Sequence, residues 1–105
     1  MKPLLIASIA SFFLLTTAQA AGDAEAGKSK SAMCAACHGP DGNGPAPTFP
    51  KLAGQHAAYL AKQLAEYKSG ERQNATMNGM AAALSEQDIA DLAAFYASQK
   101  VTLGK

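Results

Sequence analysis

Wherever apolar positions recur regularly along this chain, their spacing is helical. In residues 85–98, SEQDIADLAAFYAS, Ile89, Leu92 and Tyr96 recur at intervals of three and four, and Phe95 widens the stripe. That period places them on one face of a helix. Ser85 opens the segment and Asp88 follows three residues on, a variant of the capping box. In residues 56–70, HAAYLAKQLAEYKSG, Leu60, Leu64 and Tyr67 share a face and Gly70 supplies a stop. Residues 21–37, AGDAEAGKSKSAMCAAC, are alanine-rich and read as one helix, with Asp23 as N-cap and Glu25 near the positive end of the dipole. Residues 71–83, ERQNATMNGMAAA, read as irregular, because Asn74, Asn78 and Gly79 disfavour a regular element. No segment alternates with period two, so the pattern predicts no sheet. The expectation is an all-α domain of three main helices joined by two long loops.

The longer of those loops, residues 39–55, contains four glycines and four prolines. It can be neither helix nor central strand. Long loops in small domains are usually functional or disordered, and Phe49 and Leu52 inside this one argue that it packs on something.

The start of the chain has a different pattern. Lys2 precedes an apolar run, LLIASIASFFLL, and then TTAQA, which ends on the small-x-small sequence Ala18-Gln19-Ala20. That order is the layout of a secretory signal peptide over residues 1–20. The apolar run is shorter than the roughly 20 residues that span a bilayer, so stable membrane insertion after cleavage is not expected. Residues 21–105 then form one domain.

Charge changes the picture little. The chain holds nine basic and eight acidic residues. With Lys2 removed in the leader the two signs balance, and no basic stripe argues for nucleic acid. Lys28 and Lys30 read as solvated, and Glu86, Asp88 and Asp91 as residues placed for the helix dipole. Size matters more. A domain this short has a marginal core and recruits a disulfide, a metal or a cofactor to stabilise it.

The two cysteines show where such help could enter. Cys34 and Cys37 are separated by two alanines and His38 follows directly. Cys-x-x-Cys-His is a haem attachment signature. Each sulfur adds to one porphyrin vinyl group, one helical turn spans the gap, and the histidine lies under the iron. Three other uses compete. A thiol redox pair belongs at a helix start after a strand, and no strand is predicted here. A structural zinc site wants four ligands, and only Cys34, Cys37, His38 and His56 are available. A disulfide would close a loop too small to constrain the unfolded chain much. A low-spin haem needs a sixth ligand, and a methionine thioether is a soft donor suited to reduced iron. Met33 abuts the attachment site. Met77 and Met80 lie where a side chain could swing over the far haem face, one as ligand and the other as packing.

With these pieces together, the chain resembles a class I cytochrome c, and closely the bacterial cytochrome c-four group. CAACHGPDGNGPAPTFPKLAGQ, YLAKQL, MNGM and LSEQDIADLAAFYASQ carry the resemblance. It implies a small helical fold wrapped around one covalent haem c, with Cys34 and Cys37 as thioether anchors and His38 as the proximal axial ligand. The first methionine of MNGM, Met77, falls on the distal ligand, with Met80 the alternative. Pro47 falls on the proline whose carbonyl accepts the proximal histidine's ring N–H, a bond that would orient His38. Proteins of the c-four group carry two such domains and this chain has one, which implies a single-haem relative.

The function implied is that of a soluble periplasmic electron carrier rather than an enzyme. It would work between redox proteins such as a quinol-oxidising complex and a terminal oxidase or reductase. The alternative is a ligand-binding haem sensor or minor peroxidase, which would require the methionine bond to be weak or absent. His56 reads as a surface or capping residue, and Tyr59, Tyr67 and Arg72 as groups within reach of a haem propionate.

Overall fold

The computed structural model describes residues 1–5, 8, 10–11 and 21–103. The predicted signal segment over residues 1–20 lies largely outside the described residues. Among those described there is no strand. Five helices follow in order: α1 (Ala24–Lys30), α2 (Ala32–His38), α3 (Ala57–Ser69), α4 (Ala75–Ala81) and α5 (Glu86–Ala97). None of them is long and apolar enough to cross a membrane.

Two features depart from expectation. The N-terminal helix is two helices, broken at Ser31, whose hydroxyl donates to the carbonyl of Lys28 at 2.8 Å. Such local side-chain bonds compete with helix continuation. The break puts Cys34, Cys37 and His38 together on a short helix of their own, α2. The second departure is α4, which occupies a stretch expected to be irregular. The asparagine that argued against a helix starts one instead. Asn74 is the N-cap, and its Oδ1 accepts the N–H of Met77 at 3.0 Å, the role in which asparagine is strongly favoured.

The other caps follow the sequence closely. Asp23 accepts from the N–H groups of Glu25 and Ala26. Ser85 and Asp88 form a reciprocal capping box at the start of α5. Gly70 ends α3 in the left-handed region at φ 85°.

α5 is the central element, with α1 packed on one side and α3 on another. Leu60, Leu92, Ala93, Phe95 and Tyr96 make the core, and Leu52, Leu64 and Leu84 pack partly against it. The α1–α5 crossing is close because α1 presents glycine. A Cβ on Gly27 would lie 2.0 Å from the carbonyl oxygen of Asp91 and 2.7 Å from the Cβ of Phe95. Hydrogen to methyl is the smallest change possible there, and it already overlaps backbone.

A polar clamp locks the same crossing. Asp91 is 3% exposed, and its carboxylate is well supplied with donors. It accepts from the backbone N–H of Asp23 at 2.8 Å, Lys30 Nζ at 2.7 Å and Gln87 Nε2 at 2.8 Å. Lys30 also reaches Asp88 at 2.8 Å. Lys30 and Asp91 are therefore not the merely solvated and dipole-placed groups the sequence implied; they are partners between helices. The donor set, led by the Asp23 N–H, holds the Asp91 carboxyl down to about 2, and Lys30 followed by Ser85 does the same for Asp88.

Both carboxyls titrate lower in the fold than in an open chain. Their stabilisation is thus complete above the ordinary carboxylate range and is lost as pH falls from about 4 towards 2. An acid titration followed by circular dichroism should show stability dropping across that window. Asp91→Asn should be less stable at neutral pH and show a shallower drop. An identical acid profile for parent and variant would remove Asp91 from this role.

Candidate functional site

α2, α3, α4, α5 and the loop before α3 enclose a cavity of about 350 Å³. Its wall includes Cys34, Cys37 and His38 from α2, Phe49 and Pro50 from the loop, and Leu60 and Leu64 from α3. Met77 and Met80 from α4 and Leu92 and Tyr96 from α5 complete it. Every residue singled out for chemistry lines this one space, except Pro47 and His56.

On the α2 side, His38 is buried while Cys34 and Cys37 are half-buried. Both thiols are free. Burial pushes the Cys34 thiol up, so it is no low-pKa nucleophile of the exchange type. Among the described residues no three of His, Cys, Asp and Glu converge on a point, which leaves a zinc site without its ligands. The His38 ring is oriented from behind. Its Nδ1 lies 2.8 Å from the carbonyl oxygen of Pro50. As donor to that oxygen, Nδ1 leaves Nε2 as the free lone pair on a ring that lines the cavity. Phe49 meets the ring edge-on with centroids 6.3 Å apart.

The acceptor is thus Pro50 and not Pro47. Pro47 sits in an exposed turn closed by the bond from the Phe49 N–H to the Ala46 carbonyl. Pro50 instead leads into a pinned strap, where the N–H groups of Leu52 and Ala53 both donate to the Gly42 carbonyl, at 2.8 and 3.2 Å. Gly42 has φ 81°, and a Cβ there would lie 2.8 Å from the Tyr96 ring, so the strap is laid directly on α5. A carbonyl can fix an imidazole only if its own backbone is fixed. The available signal was Leu52, an apolar anchor two residues after Pro50.

On the α4 side, Met77 is half-buried and Met80 is 40% exposed. Three residues apart on a helix, they fall on neighbouring positions of one face, so both line the cavity, at different depths. Tyr59, Tyr67 and Arg72 also line it. The Arg72 guanidinium stacks 4.8 Å from the Tyr67 ring centroid and donates to Gln63 Oε1. His56 is exposed at the N-cap of α3 and makes no side-chain cap bond.

The residues present fit a large, flat, mostly apolar group held by two sulfurs. One observation bears on this independently of the motif. The Tyr96 hydroxyl is buried beside Cys34 and Ser31 and makes no hydrogen bond of good geometry, and burial raises its pKa. A buried orphan hydroxyl costs free energy, and here it belongs to a ring that lines the cavity beside Cys34.

A helical shell that brings a Cys-x-x-Cys-His turn and a methionine to one apolar cavity has the build of a protein that carries covalent haem. Residues 24–100 match the family described as Cytochrome c, and the chain belongs to that family. Membership implies a covalently bound c-type haem.

Cytochrome c4 of Pseudomonas aeruginosa is 52% identical over 104 residues, which cover 99% of this chain and 52% of that protein. Cytochrome c-554(548) of Halomonas halodenitrificans is 51% identical over 83 residues, 76% of this chain and 100% of that protein. The crystal structure of reduced recombinant cytochrome c4 from Pseudomonas stutzeri superposes with a TM-score of 0.76 at 53% identity, covering 80% of this chain and 49% of that one. The chain spans about half the length of the cytochrome c4 relatives that it matches. With these likenesses the expected all-helical class I cytochrome c fold of the c4 group stands.

Proposed function

We propose that this chain is a periplasmic one-electron carrier with one haem c, and not an enzyme. Cys34 and Cys37 would hold the haem as thioethers, and His38 and Met77 would be the axial ligands. The observation that supports this most is the pairing of His38 from α2 with Met77 from α4 on one cavity, with the His38 ring already set by Pro50. Haem bound there supplies an iron that takes up and releases one electron.

The protein's part is to change little while that happens. Pro50 holds the imidazole, the cap at Asn74 holds the Met77 backbone, and Leu60, Leu64 and Leu92 supply apolar wall. An apolar surround and a fixed ligand pair are the levers that set a haem potential. With His38 and Met77 both bound, the iron would offer no open position to a substrate. Partners are redox proteins, among them a terminal oxidase or reductase and a quinol-oxidising complex. They would dock where the cavity opens, near the exposed Met33, Tyr59 and Met80, through a small transient interface.

A redox titration of the holoprotein under carbon monoxide tests the reading. The expected result is one haem per chain, a one-electron transition and a reduced spectrum that carbon monoxide leaves unchanged. Rapid carbon monoxide binding by the ferrous form would replace the carrier with a ligand-binding haem protein.

A further inference from the structure

α4 has seven residues, and only Ala81 among them is buried. It packs chiefly on α3, and Gly79 in its middle faces open space. A helix this short is not stable by itself, and its apolar contacts are few. Its position must come from elsewhere.

It comes from two asparagines that flank Met77. Asn74 Oδ1 accepts the Met77 N–H at 3.0 Å. Asn78 Oδ1 accepts the Asn74 N–H at 2.9 Å. The two bonds are reciprocal, as in a capping box, but with the returning side chain one residue further along. The amide nitrogen of Asn78 then donates twice, to the Tyr67 carbonyl at 2.8 Å and to the Arg72 carbonyl at 2.9 Å. The first acceptor lies in the last turn of α3 and the second in the connection to α4. One side chain therefore closes the cap, the connection and the preceding helix into a single unit.

We propose that Asn74 and Asn78 are positioning residues that hold Met77 on the iron and set how readily another ligand displaces it. The proposal rests on the reading of Met77 as the distal ligand. Displacement requires Met77 to leave, and any movement of α4 away from the cavity breaks this clasp. Local opening of this kind sets the population of an exchange-competent state. Losing the hydrogen bonds of either asparagine should raise that population on the order of tenfold.

Imidazole is the probe, titrated into the ferric holoprotein while the sulfur-to-iron charge-transfer band is followed. Asn78→Leu and Asn74→Ala should each bind imidazole about tenfold more tightly than the parent. Asn74→Asp, which restores the cap acceptor, should return to near the parent. Asp91→Asn, which weakens the fold at the distant α1–α5 crossing, should lower the melting temperature without changing imidazole affinity. Parent-like affinity in both asparagine variants, with Met77→Ala lacking the band, would overturn the clasp and leave the ligand reading intact. An equal gain in Asp91→Asn would also overturn it, since the effect would then be general loosening. A band kept by Met77→Ala and lost by Met80→Ala would overturn the ligand reading and the clasp with it.

Discussion

Cys34→Ala/Cys37→Ala, prepared free of haem, is expected to show no cooperative thermal transition. The reason lies in how little of this domain is core. Among the larger side chains of the described residues only Leu92 is essentially inaccessible, at 1%. Around it stand Leu60, Phe95 and Tyr96, and beside them is the cavity of about 350 Å³. Left dry, a space of that volume would cost on the order of 8 kcal/mol at roughly 24 cal/mol per Å³, but this one opens to solvent beside Met33, Tyr59 and Met80. A small domain has only about 5–15 kcal/mol in total. Filling the space with water exchanges that cost for exposure of the apolar lining.

The local elements cannot compensate. α1, α2 and α4 have seven residues each, below the length at which an isolated helix persists. Far-ultraviolet circular dichroism should show partial helix that fades gradually on heating. A sharp melt without haem would mean that the α1–α5 crossing, with its Gly27 contact and Asp91 clamp, folds on its own.

What was legible in the sequence divides along physical lines. Features that depend on neighbours in the chain were readable. The capping box at Ser85 and Asp88, the stop at Gly70 and the apolar stripes of α3 and α5 follow from period and cap chemistry. The attachment motif was readable for the same reason, since its three residues need only one turn of helix.

Features that depend on distant partners were not. Lys30 and Asp91 are 61 positions apart, and nothing near either one shows that they meet. Ser31 breaks a helix that its alanine-rich neighbours favour. Asn74 and Asn78 weigh against a helix by propensity and yet build one, because a cap and an interior position reward opposite chemistries. Pro47 and Pro50 look alike in a proline-rich loop. Only the strap pinned on Gly42 distinguishes the carbonyl that holds His38.

Met77→Ala is expected to abolish the sulfur-to-iron charge-transfer absorption, lower the potential and let the ferrous form bind carbon monoxide. Met80→Ala should leave all three near the parent. The two methionines have the same donor chemistry and adjoining places on α4, so depth and tethering must decide between them. Met77 is half-buried, and its N–H is bound to Asn74; Met80 lies a turn further on and is 40% exposed. A ligand that must stay on through repeated oxidation gains from a fixed backbone, because each ångström of freedom is entropy lost on binding.

A soft thioether favours reduced iron, so removing it shifts the balance towards the ferric state and the potential falls. His56 offers no replacement from its exposed place at the start of α3. A spectroelectrochemical titration of both variants separates the cases. If Met80→Ala proved the silent, carbon-monoxide-binding form, α4 would have to turn its more exposed methionine inward when haem is bound, and the caps at Asn74 and Asn78 would have to rearrange with it.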